Sequence, residues 1–92
     1  MHAVVATVTI AGGQFEVAHK ALKDEVVPRV RQAPGFVKGY WMINGDHTQG
    51  TSVVVFDTKA HADVAAGMAR SMATAPGVSI GSVDVREVVA EG

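Results

Sequence analysis

Four histidines, one tryptophan, one tyrosine and no cysteine set the chemistry this chain can offer. His61 has the most suggestive surroundings. It recurs with Val64, Ala65, Met68 and Met72 at helical spacing, which puts an ionisable imidazole on an otherwise apolar helix face. Such a ring can serve as a base, a hydrogen-bond donor or an axial haem ligand. A histidine in a first helical turn can equally reach the rim and be solvated. Tyr40 and Trp41 are neighbours in a strand pattern and therefore point to opposite faces, so one looks toward the helices and the other toward a partner or the rim. Trp41 suits either core packing or ligand stacking. His19 flanks the apolar stripe of the first helix. Arg29 projects near that stripe on a straight helix, with Pro28 leaving its direction open. Met68 lies on the His61 face, whereas His47, in a polar hairpin loop, and His2, at the start of the chain, read as surface residues.

Several chemistries are excluded. There is no HxxxH, no carboxylate pair at helical spacing on an apolar face and no phosphate-binding glycine loop. The lack of cysteine removes disulfides, zinc-thiolate sites and thiol nucleophiles, and no metal site is expected. A net charge of −1 without any Lys/Arg run lacks the electrostatic footprint of a nucleic-acid binder, and an anionic membrane is an equally poor partner. The opening run AVVATVTIA is too short to span a bilayer and has no basic flank, so a cytoplasmic protein is expected.

The elements that must position these residues follow from periodicity. Val4, Ala6, Val8 and Ile10 alternate with Val5, Thr7 and Thr9 in a first strand, His2 to Ala11, which Gly12-Gly13 ends. Phe15, Ala18, Leu22, Val26, Val30 and Ala33 make a helical stripe from Gln14 to Ala33, with Lys20, Lys23, Asp24 and Arg31 facing away and Pro34-Gly35 as the stop. Pro28 inside this helix removes one backbone hydrogen bond and predicts a bend near Asp24. Phe36 to Asn44 and Thr51 to Phe56 form a hairpin. Asp57 or Thr58 caps a second helix, Lys59 to Thr74, closed by Pro76-Gly77, and Val78 to Ala90 is the last strand.

At 92 residues this is one domain, residues 1–92, with 48% hydrophobic and 18% charged residues. The order β-α-β-β-α-β favours an α+β fold: a four-stranded antiparallel sheet with two helices on one face. The strands carry valine on both parities, so the other sheet face is apolar too. A patch of that kind on so small a chain predicts a homodimer packed sheet to sheet.

The segments VVPRVRQAPGFVKGYW and SVVVFDTKAHADVAAG resemble those of the dimeric α+β barrel family with a ferredoxin-like protomer, which includes antibiotic-biosynthesis monooxygenase-like and stress-responsive barrel domains. The resemblance covers nearly the whole chain and implies fold and dimerisation more than activity. It implies a ligand between the sheet and its own helices. Haem degraders of the family pair a helix-two histidine with an asparagine on strand one and a tryptophan on strand three; here strand one has no asparagine and Trp41 lies on strand two, so no cofactor is expected. Beside quinol-type oxygenases, Tyr40, Trp41, Asn44 and Arg29 are counterparts by type. Two functions follow as expectations. One is a cofactor-independent monooxygenase or isomerase for a hydrophobic, aromatic or polyketide-like molecule, with His61 as base and Trp41, Tyr40, His19, Met68 and Arg29 around the ligand. The other is a non-catalytic dimeric structural or stress-response module.

Overall fold

The computed structural model describes residues 1–71 and 77–92. Its elements are β1 (His2–Ile10), α1 (Phe15–Ala21), a π-helical turn (Leu22–Val26), α2 (Val27–Arg31), β2 (Phe36–Ile43), β3 (Gln49–Phe56), α3 (Lys59–Ser71) and β4 (Val78–Glu87). Met72, Thr74 and Pro76, assigned above to the end of the second helix, lie outside the described residues. The strands form one antiparallel sheet in the order β2-β3-β1-β4.

Register assigns the faces. Val4 of β1 sits opposite Val54 of β3 and Val85 of β4, and Val54 in turn sits opposite Gly39 of β2. Directly opposed residues share a face, so these belong to one side together with Ala6, Ser52, Trp41 and Val83. On this side Val4, Val54, Phe56, Ala62 and Ala66 form the buried core, with Val30, Ala33, Phe36, Trp41 and Ala65 packed against it. Residues from both helical regions thus enter one cluster. Arg70 ties α3 to the edge strand by donating to the Val83 carbonyl at 2.9 Å.

The first helix agrees with its stripe. Phe15, Ala18, Leu22, Val26, Val30 and Ala33 are half-buried, while Lys20, Lys23, Asp24 and Arg31 are exposed. Pro28 is accommodated by widening the helix upstream of it: the Val27 N–H donates to the Leu22 carbonyl, five residues back. The looser turn contains Asp24, whose carbonyl the proline ring would otherwise crowd.

The second helix corrects its stripe. Ala62 and Ala66 are fully buried, whereas Val64 and Met68 are 60% and 48% exposed. Alanine lets the α3 backbone approach the sheet closely, and that approach turns the larger apolar residues outward. His2 is a second correction. It is half-buried, and its Nδ1 is buried without a hydrogen-bond partner. Its place opposite Phe56 and Glu87, with the Val88 N–H donating to the Met1 carbonyl, makes it part of the ladder.

The far sheet face is a grid. Its rows read Lys38, Val55, Ala3, Arg86; Tyr40, Val53, Val5, Asp84; and Met42, Thr51, Thr7, Ser82. Tyr40 and Met42 are exposed, and Thr7 and Ser82 hydrogen-bond at 2.8 Å. No helix of the described residues is long and apolar enough to cross a membrane.

Candidate functional site

The chain leaves β3 at Phe56 and enters α3 within two residues. Thr58 is the cap: its Oγ1 accepts from the His61 N–H at 3.2 Å, and its carbonyl accepts from the Ala62 N–H at 3.1 Å. His61 therefore occupies the third helical position, where a side chain leans back over the preceding turn. There it meets Asp57, with Nδ1 and Oδ1 2.7 Å apart.

The backbone beneath this pair is Gly35. The Asp57 N–H donates to the Gly35 carbonyl at 2.9 Å, and Gly35 has a φ of 81°. A Cβ at Gly35 would collide with Asp57 Oδ1 and His61 Nδ1. Glycine is therefore required twice, for its left-handed turn and for the space the pair occupies.

The protons follow from the partners. Hydrogen bonding from His61, joined by its charge when the ring is protonated, holds the Asp57 carboxyl below the usual carboxylate range against the opposing pull of desolvation. An ionised carboxylate only accepts, so Nδ1 carries the hydrogen. In the neutral ring Nε2 then presents its lone pair, which is the arrangement of an oriented base. The His61 and Asp57 side chains are 41% and 53% exposed, so the pair stands open to solvent.

The other sequence candidates are not gathered around His61. Trp41 faces the helix side and packs on the core cluster. Its ring lies along its own strand over Gly39, where a Cβ would strike the ring edge. Tyr40 stands on the opposite face, as strand alternation requires, and Arg29 is exposed on α2. Met68 shares an outward strip of α3 with Val64 and His61, at spacings of three and seven residues from the imidazole. His19 lies at the other end of the sheet, stacked on Phe15 at 5.2 Å between ring centroids; His47 stacks on the same ring at 4.1 Å.

Two of the surface depressions among the described residues bear on the site. One of about 500 Å³ lies beside the Phe15, His19 and His47 rings. The other, about 370 Å³, is lined by Met42, Ile43, Asn44, Gln49 and Thr51. Neither contains His61. Among the described residues no group of three or more histidines and carboxylates is placed to hold a metal ion.

Sequence reasoning missed Asp57 as the partner of His61 and Gly35 as their support. The signal for the first was present: an aspartate four residues before a histidine, across a helix start, places the two within reach. No local signal announces Gly35, which arrives from the opposite β-α-β half. No protein-family model and no curated protein matches the chain, so function must be argued from this geometry.

Proposed function

We propose that this chain is a ferredoxin-like βαββαβ protomer of a homodimeric α+β barrel. It binds a small hydrophobic molecule, aromatic or polyketide-like, and acts on it with His61 as base, without a cofactor, as an isomerase or monooxygenase. The observation that carries the catalytic reading is the 2.7 Å contact between Asp57 and His61. It fixes the tautomer and leaves Nε2 as the free acceptor of a half-exposed ring. Nε2 would take a proton from a carbon or hydroxyl activated by a conjugated carbonyl. Return of that proton to another carbon isomerises the substrate, and oxygen as co-reactant would instead oxidise the anion.

The assembly rests on the far sheet face, where Tyr40 and Met42 are exposed and Val5 and Val53 only half-buried in the protomer. A second copy packed on it is the symmetric solution for a chain of this size.

The decisive experiment screens naphthols and quinols by oxygen uptake and by proton exchange in heavy water, using wild type, His61→Ala and Asp57→Asn. His61→Ala should lower turnover on the order of a hundredfold or more, the loss of a general base. Asp57→Asn should cost on the order of tenfold, since it releases the ring without removing it. Both variants should keep the wild-type melting temperature within a few degrees. Absence of turnover and binding in wild type would leave a non-catalytic dimer. Separately, the urea midpoint should rise with protein concentration, and Val53→Lys should yield monomers by light scattering. A wild-type monomer at micromolar concentration with a fixed midpoint overturns the assembly.

A further inference from the structure

The depression at the end of the sheet remote from His61 has a chemistry of its own. It lies between the β1–α1 turn and the β2–β3 hairpin, lined by Gly12, Phe15, Glu16, His19, Asp46 and His47. A Cβ at Gly12 would meet nothing within 4 Å, so the turn leaves the space open. The hairpin side is rigidly built. Asn44 Oδ1 accepts from the Thr48 and Gln49 N–H groups, each at 3.0 Å, Asp46 Oδ1 accepts from the Thr48 N–H at 3.2 Å, and Ile10 N–H donates to the Thr48 carbonyl at 2.7 Å. His47 is held at a φ of 61°, uncommon for a residue with a side chain, and its ring is laid on Phe15.

The polar groups around this space share one property. Two carboxylates and two imidazoles line it, and no lysine or arginine does. Asp46 is held below the usual carboxylate range chiefly by the Thr48 hydroxyl, so it is ionised throughout the physiological range. Neither imidazole nor the Glu16 carboxylate has a hydrogen-bond or ion-pair partner among the described residues. Each neutral imidazole accepts through one nitrogen and donates through the other, while the carboxylates only accept, so acceptors outnumber donors beside the aromatic ring. The complement of the depression is a cationic donor with a short apolar body.

The geometry points to a binding site for a small primary amine, its ammonium group shared between Glu16 and the His19 and His47 rings and its alkyl chain lying along Phe15. The site is independent of the base at His61. A volume of about 500 Å³ accommodates an alkyl diamine.

The probe is 1,5-diaminopentane, titrated at pH 8 and followed through the ring resonances of the four histidines. His19 and His47 should shift in a saturable manner while His2 and His61 stay in place. The neutral counterpart 1,5-pentanediol should produce no saturable shift. Glu16→Gln, an isosteric change at an exposed position, should weaken the diamine about two- to tenfold by removing one charged acceptor. Phosphatidylethanolamine vesicles distinguish the source of the amine. Broadening confined to His19 and His47 assigns a lipid head group, and diamine shifts without such broadening assign a soluble amine. No shift up to on the order of 10 mM, far weaker than specific recognition requires, overturns the proposal. Equal shifts at all four histidines or equal binding of the diol would do so as well.

Discussion

The two ends of the sheet handle their histidines in opposite ways. At one end His61 is hydrogen-bonded to Asp57, its main chain is capped by Thr58, and the pair lies directly against the Gly35 backbone. At the other, His19 and His47 are held by ring stacking on Phe15, with their nitrogens uncommitted and open space beside the glycine turn. The first arrangement spends one ring nitrogen to fix the direction and protonation of the other. The second fixes ring planes and leaves all its acceptors for a visitor. Orientation by a carboxylate suits proton transfer, and a stack with spare acceptors suits binding.

The glycines offer the sharpest way to break this contrast. Gly35→Ala forces a side chain into a left-handed backbone and into the space of Asp57 and His61, and should cost about 1–3 kcal/mol in urea unfolding. Gly12→Ala meets open space, and its effect should stay within about 0.5 kcal/mol. Equal effects at the two positions would mean that the ends are equally tight. In Gly35→Ala the His61 ring resonances should also move while those of His19 and His47 hold still.

A smaller effect concerns acid. The folded Asp57 carboxyl titrates below its unfolded value, so its contribution to stability is complete above the ordinary carboxylate range and is lost as pH falls through the lowered folded value. Melting temperatures of wild type and Asp57→Asn should therefore begin to converge below about pH 4, where unperturbed carboxylates protonate, and meet once pH falls below the lowered folded value. A gap that persists at pH 2 would show that the asparagine acts through packing. The pair is exposed, so the separation at neutral pH should be only a few degrees.

Much of the framework was legible because period and punctuation agreed. The β-branched alternation of His2–Ile10, the stripe from Phe15 to Ala33 and the turn at Pro34-Gly35 each carry a local cause for a local structure. Two errors share another origin. Val64 and Met68 were weighted by size, but the α3 interface is decided by how near the helix can come to the sheet, and Ala62 and Ala66 permit the nearest approach. His2 was judged by its position in the chain, although its pairing with Phe56 and Glu87 depends on strands more than fifty residues away. The Asp57–His61 pair was half legible, since its spacing is local, while its fixation by Gly35 is a tertiary fact. The Phe15–His47 stack joins α1 to a hairpin whose loop conformation no periodic pattern encodes.

The π-helical turn has a consequence for phase. A straight α-helix advances about 100° per residue, which would set Arg29 close to the line of Phe15, Ala18 and Leu22 and leave Val27 well off it. The π turn accommodates one additional residue, so everything after it is rotated back by about one residue's advance. Arg29 then swings out to solvent and Val27 comes round into the half-buried flank, as their exposures show. The proline that looked like a fault in the first helix thereby chooses which of two neighbouring side chains, a cation or a valine, the helix turns toward the sheet.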